Sequence, residues 1–293
     1  MIHKPKQIES DSRQSPPFFI IRLLRDPSSA IGFLLVLAFT CSSLLGLIEV
    51  TPYPVLEQHP IDRLQAPSSD YWFGTDQFGR DIFSRVMKGG ANSLQVAVTS
   101  VFISSLLGTI IGILAGYTGG LLDTVLMRLM DILFAFPSLL LALLIVTIIG
   151  AGLSSTVLAI TVVYTPIFAR VARGPVLGLK NAEFVTAARC LGAQNWRIIL
   201  HHIFPNMRTV LIVQFTLALS WALITEAGLS FLGLGTQPPN PSWGLMLSEN
   251  RGLAEIAPWL ILFPGLAIML TVLGFNLLGD GLRDVLDPYL KAE

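Results

Sequence analysis

The stretch NAEFVTAARCLGAQNWRIILHHIFPN, Asn181 to Asn206, mixes charges, amides and two adjacent histidines around one glycine. It interrupts a chain of 293 residues that is 53% hydrophobic and only 13% charged, where a soluble domain carries about 25% charged residues. A water-soluble fold of this length needs more polar surface than these residues can supply. The apolar residues on either side also come in blocks. No charge lies between Asp26 and Glu49, Lys88 and Asp123, Asp131 and Arg170, Arg208 and Glu226, or Glu255 and Asp280. A helix crosses a bilayer with roughly 20 apolar residues, so the blocks read as membrane spans.

The first block is too long for a cleaved leader and ends in Leu47-Ile48-Glu49-Val50, with no small-x-small site. The run from Ile132 to Ala169 exceeds one span, and Gly150-Ala151-Gly152 followed by Ser154-Ser155 supplies a turn at its middle. Six spans result, at about 30–49, 93–116, 125–149, 153–172, 209–233 and 259–281. The chain divides into 1–92 (tail, first span and a loop), a five-span core at 93–282, and a tail at 283–293. Six spans put both termini on one side. Arg63, Arg80, Arg85, Lys88 and Arg251 fall in one set of loops and the other 14 of the 19 basic residues in the opposite set. The richer set, which contains both tails and the 181–206 stretch, is expected to be cytoplasmic. Within the poorer set, Ile82, Phe83 and Val86 share one face of the Arg80–Lys88 cluster, as in an amphipathic helix at the membrane interface.

Net charge is zero, so no overall field recruits nucleic acid. Cys41 and Cys190 lie far apart in sequence and read as small packing residues, not as a disulfide.

Inside the opening stretch, Phe184, Ala187, Ala188 and Leu191 recur at i, i+3, i+4 and i+7, one helix face. Asn181 can cap that helix and Glu183 suits its positive end. Gly192 ends it by taking a left-handed conformation. Trp196, Ile199, Leu200 and Ile203 form a second face, and Pro205 is expected to stop it before Asn206 caps the next span. The expected product is two short amphipathic helices with a bend between them, hung from two spans like a lever. The plainer alternative is an interfacial helix resting on lipid headgroups, with Arg189, Arg197 and Arg208 snorkelling. His201 and His202 are adjacent and cannot both face one metal ion from a helix.

The pattern Ala187-Ala188, Gly192 four residues on, then Pro205 resembles the "EAA" loop of ABC-importer permeases. Thr186 stands where the general motif has glutamate and His202 where it has isoleucine. Glu183 together with RIILHHIFPN is similar to the peptide-permease version. Two further blocks, YWFGTDQFGRDIFSRVMKGGANSL (Tyr71–Leu94) and GLSFLGLGTQPPNPSWGLML (Gly228–Leu247), resemble the C-type permeases for dipeptides and oligopeptides. Asn92 stands where that family usually has arginine. The resemblance covers nearly the whole chain after about residue 20. It implies an all-α membrane protein of the type I importer fold. In such a fold Glu183, Ala187, Ala188, Arg189, Gly192, Ala193, Trp196, Arg197 and Pro205 form the helix that docks on a cytoplasmic ATPase.

The implied partners are a second related permease, two ATPase subunits that bind the ATP, an extracytoplasmic solute-binding protein and membrane lipid. The implied solute is a di- or oligopeptide, with nickel, glutathione or opines as alternatives. The chain itself carries no glycine-rich lysine loop for triphosphates and no metal or nucleophile constellation, so it is expected to be non-catalytic and to bind no cofactor.

Asp76, Arg80, Asp81 and Arg85 alternate in sign among Gly74, Gly79, Gly89 and Gly90, which suggests a loop tied by ion pairs. Such a loop is expected to contact the binding protein or the second permease. A solvated loop with weak pairs is the alternative. Pro238, Pro239 and Pro241 keep the segment before Trp243 extended, with Trp243 as an interfacial anchor. Glu226 lies well inside a span, at a cost of roughly 2.5–3.5 kcal/mol. It either lines the pathway, where it meets a peptide's amino group, or accepts hydrogen bonds from neighbouring helices. Arg128 and Asp131 are spaced for an ion pair on one helix, and Pro137 and Pro166 for kinks. A stand-alone secondary transporter, the rival from another class, requires paired broken helices and internal repeats.

Overall fold

The computed structural model describes residues 23–286; the tails at 1–22 and 287–293, with the expectations placed on them, lie outside that range. Among the described residues the chain is helical with no named strand, one isolated bridge joining Thr75 to Asp81.

Helix α1 spans Pro27–Leu47. Asp26 caps it, accepting from the Ser29 amide at 2.9 Å and from the hydroxyls of Ser28 and Ser29, and Pro27 occupies the first turn. The Ser28 hydroxyl first, then Ser29, holds the Asp26 carboxyl down at about 2. Residues 48–81 form a loop, and α2 follows over Ile82–Thr118. At 37 residues, or about 55 Å, α2 is far longer than the ~30 Å hydrocarbon core.

The expected interfacial helix is therefore absent. Its residues are the first turns of α2, and Ile82 (0% exposed) and Arg85 (1%) are enclosed by the loop and by α9 (Trp243–Asn250). The helix also runs unbroken through the 92/93 division drawn from the sequence. Trp243 is likewise not an interfacial anchor: it is 1% exposed, donates from Nε1 to the Val86 carbonyl at 2.9 Å, and meets Phe39 edge-on. A donor-bearing ring is buried here because a carbonyl is available to it.

Among the described residues five helices are long and apolar enough to cross a membrane, and a sixth crossing arises if one bent pair is counted together. That pair is α3 (Gly120–Phe134) and α4 (Ser138–Ile149), at 90° to each other. The span expected at 125–149 is thus not straight. Pro137 precedes α4 without an N–H and disfavours helix at Phe136, which sets the break. Gly150 and Gly152, at φ 110° and 154°, turn the chain into α5 (Leu153–Leu179), which continues past residue 172. Pro166 and Pro175 both lie inside α5. The last two spans are α8 (Phe204–Phe231) and α10 (Trp259–Leu286), the latter passing residue 283 without a break.

The central contact is α2 against α5. A Cβ on Gly108 meets the Phe168 Cβ at 2.5 Å and the Thr165 carbonyl at 2.6 Å, one on Gly112 meets the Ala172 Cβ at 2.8 Å, and one on Gly116 meets the Val176 Cβ at 3.0 Å. Glycine every fourth residue lets the two backbones approach in lipid, where close packing replaces the hydrophobic drive. Across the bundle, Tyr164 Oη and Thr225 Oγ1 lie 3.2 Å apart, linking α5 to α8.

Charge pairs join α3 to α5. Arg173 grips both oxygens of Asp123 at 2.7 Å, and Arg170 reaches Asp131 at 2.7 Å while stacking 4.1 Å over Phe134. The Arg128–Asp131 pair expected within one helix does not form, because Asp131 has the better-placed partner on α5. Cys41 and Cys190 are free but exposed, so neither is a packing residue.

Candidate functional site

The 181–206 stretch folds at one end of the bundle. Helix α6 spans Glu183–Cys190, with Glu183 in its first turn and Arg189 in its last, both favourable to the helix dipole. Its cap position is Ala182, with no side-chain bond, so Asn181 does not cap. At the other end Gly192 takes φ +83°. Its amide donates to the Arg189 carbonyl at 3.0 Å, and the next amide, Ala193, donates to the Ala188 carbonyl at 3.0 Å. These two bonds are the pair that closes a Schellman turn. A Cβ at Gly192 meets no other atom, so the requirement for glycine is the left-handed backbone alone.

The chain then enters α7 (Asn195–Ile198), a π-helical turn at Ile199–Ile203, and α8 directly. Pro205 therefore does not stop the helix. It lies two residues after the π-helical turn, whose wider ring makes room for the proline within a continuous helical run. Asn206 donates from its side chain back to the His202 carbonyl at 2.6 Å and caps no helix.

One face of this loop is cemented to the spans. Val185, Ile198, Ile203 and Met207 are fully buried against Ile113 of α2 and Ala172 and Val176 of α5. Tyr117 donates to Asn195 Oδ1 at 2.8 Å, and Lys180 donates to the Gly116 carbonyl at 2.8 Å. The sequence faces foresaw part of this: Ile203 is buried, but Phe184, Trp196 and Leu200 point away, and Val185 and Ile198 take the inward positions. The other face is open and apolar, with Leu191 89%, Trp196 57% and Leu200 55% exposed. Glu183, Ala187, Arg189, Gly192, Arg197 and Pro205 are exposed with them, while Ala188 and Ala193 are half-buried. Such a face, on a loop that its own small core makes rigid, is a surface suited to a partner.

At the opposite end of α2 the charged loop residues are also ordered, but they face inward. Arg80 holds Asp76 at 2.6 Å, and Arg85 reaches Glu249 of α9 at 3.2 Å and Asp76 at 3.8 Å. Asp81 joins no ion pair among the described residues; it caps α2 through the Ser84 amide at 2.8 Å. Asp76, Arg80 and Arg85 thus close the loop onto α9. Glu249, 164 residues from Arg85, carries no local signal in the sequence of this pairing. Asn92 likewise turns inward, to the Pro241 carbonyl at 2.6 Å.

Glu226 is fully buried on α8. Its Oε1 accepts from the Ser230 hydroxyl at 2.7 Å, and that hydroxyl accepts from the Thr236 amide, tying the loop after α8 to the span. Ser93 and Ser242 lie beside the carboxyl. Among the described residues no group of His, Cys, Asp and Glu is arranged to hold a metal ion.

Residues 108–292 match the family model described as the binding-protein-dependent transport system inner membrane component. The chain belongs to that family. It is 45% identical over 271 residues to the dipeptide transport system permease protein DppC of Alkalihalophilus pseudofirmus, covering 92% of this chain and 89% of the relative. It is 48% identical over 242 residues to the glutathione transport system permease protein GsiD of Pectobacterium atrosepticum, covering 82% and 80%. An inward-facing structure of the methionine transporter MetNI shares its fold at TM-score 0.57 and 20% identity, over 69% of this chain and 97% of that one. This inner membrane component is thus a transport protein with the type I permease fold.

Proposed function

We propose that this permease is one half of the membrane pore of an ABC importer for short peptides, driven through the α6–α7 loop by cytoplasmic ATPase subunits. The reading is carried by the loop's two faces: one buried against α2 and α5, the other presenting Leu191, Trp196 and Leu200 outward. A partner that moves the outward face must move both spans with it. Nucleotide-dependent closure of two ATPases then rocks two permeases between outward- and inward-open states. Lys and Arg enrichment supports placing this end of the bundle in the cytoplasm, and the opposite end, with Arg85 and Glu249, then faces the extracytoplasmic binding protein. ATP is used on the ATPase subunits, and this chain binds no cofactor of its own.

The two relatives named for dipeptide and glutathione transport are both at 45% identity or above, and their solutes share a peptide backbone. That chemistry supports short peptides over nickel or opines. A stand-alone secondary transporter predicts paired broken helices and internal repeats, and the described residues hold one bent pair.

The test is co-purification of the assembled importer carrying Gly192→Pro, which φ +83° cannot accommodate. Loss of the ATPase subunits from an otherwise membrane-inserted chain is the expected result. Retention of those subunits with normal peptide uptake overturns the coupling role.

A further inference from the structure

The loop between α1 and α2 contains a cup that neither the ion-pair network nor the coupling loop uses. It has a volume of about 360 Å³, inside the range of small-ligand sites. Its walls include three aromatic rings, Tyr53, Trp72 and Phe83, and two carboxylates, Asp70 and Asp81, with no lysine, arginine or histidine in the lining. The cup is built, not incidental. Tyr53 is pinned by its amide to the Ser84 hydroxyl at 3.2 Å and by its own hydroxyl to the Asp70 carbonyl at 3.1 Å. The Trp72 and Phe83 rings meet edge-on at 5.0 Å.

Asp81 supplies the second, independent feature. It is 4% exposed, and its Oδ2 is occupied by the Ser84 amide at 2.8 Å and hydroxyl at 2.6 Å. Its Oδ1 is buried and accepts no hydrogen bond from any described residue. A buried carboxylate oxygen left without a donor calls for a partner, and aromatic faces beside it attract cations in preference to neutral groups.

We infer that this cup receives a lysine or arginine side chain presented by the extracytoplasmic binding protein. Its ammonium or guanidinium satisfies Asp81 and Asp70, and its aliphatic stem lies against Tyr53, Trp72 and Phe83. Charge complementarity selects the occupant. The cup's position within the loop, and not between the spans, favours a docking protein over the travelling solute. Trp72, 60% exposed, and Ile61, 98% exposed, offer apolar contact on the same loop. The inference rests on the importer reading, which supplies the binding protein.

The experiment uses the complete importer in lipid nanodiscs and measures binding of its binding protein, with and without a dipeptide, to wild type, Asp70→Asn, Asp81→Asn and Trp72→Leu. Asparagine still accepts from the Ser84 amide, so Asp81→Asn keeps the helix cap, and Asp70 and Trp72 are surface positions whose replacement leaves the fold intact. The expected result is at least tenfold weaker binding for each variant whether or not the dipeptide is present. For the exposed Asp70 the deficit should shrink in 0.5 M salt, which screens the charge. Binding within twofold of wild type overturns the inference. A loss confined to the dipeptide-loaded protein, and abolished by N-acetylating the dipeptide, assigns the cup to the solute's ammonium and also overturns it. If wild type itself binds no such protein, the importer reading fails instead.

Discussion

Tyr117, at the foot of α2, donates to the side chain of Asn195 at 2.8 Å and so braces the bend of the 181–206 loop against a span 78 residues away. Together with the buried Val185, Ile198 and Met207, this strut makes the loop an extension of α2 and α5 and not a flexible tether. Tyr117→Phe is expected to raise hydrogen exchange of the amides in 192–196 severalfold while leaving the spans unchanged, because the group lost is local and exposed. Exchange mass spectrometry checks it; uniform protection in the variant means the brace is not used.

Gly192→Ala isolates the backbone requirement. An alanine meets no atom there but pays about 1–2 kcal/mol for the left-handed conformation. Proteolysis or exchange at the Schellman turn should show opening by that amount, with the bundle's Tm little changed.

Gly108→Ala makes the converse test in the spans. The added methyl falls 2.5 Å from the Phe168 Cβ, and forcing α2 from α5 is expected to cost about 1–3 kcal/mol, lowering the Tm of the purified protein. Gly178→Ala on α5, where a Cβ meets nothing within 4 Å, is the matched control.

The buried charges at the other end of α2 predict a non-additive pair. Glu249→Ala leaves Arg85 with a longer contact to Asp76 and should cost about 2–3 kcal/mol. Adding Arg85→Met should recover part of that loss. A double-mutant cycle on thermal unfolding measures the coupling, and strict additivity contradicts the pairing.

Tyr71 gives the pH dependence. Burial, followed by its hydrogen bond to Asp62 at 3.0 Å, pushes the phenol up to about 12 from its ordinary 10. The raised value means the folded loop holds this proton more tightly than the unfolded chain. The contribution is complete below pH 10 and is lost as pH rises through 12. Local exchange of residues 62–76 should therefore increase over that window, and Tyr71→Phe should remove the step.

Much of this architecture was readable from the chain. The charge-free blocks became α1, α2, the α4–α5 pair, α8 and α10, and Gly150, Gly152 and Gly192 turn where their permissiveness suggested. The errors share one cause, partners distant in sequence. Local spacing put Asp131 with Arg128, whereas Arg170 holds it across two helices. Local amphipathicity put Arg85 at a membrane surface, whereas Glu249 draws it inside. Trp243 looked like an anchor until the Val86 carbonyl supplied its acceptor. Pro205 looked like a stop because a π-turn before it leaves no trace in apolar periodicity.

The most direct measurement places a photo-crosslinking amino acid at Leu191, 89% exposed on the open face of the α6–α7 loop, in the importer as it assembles in cells. The account predicts an adduct with an ATP-hydrolysing subunit whose yield changes with bound nucleotide, and no labelling of this position by reagents confined outside the cell. An adduct with the binding protein, or labelling from outside, contradicts it.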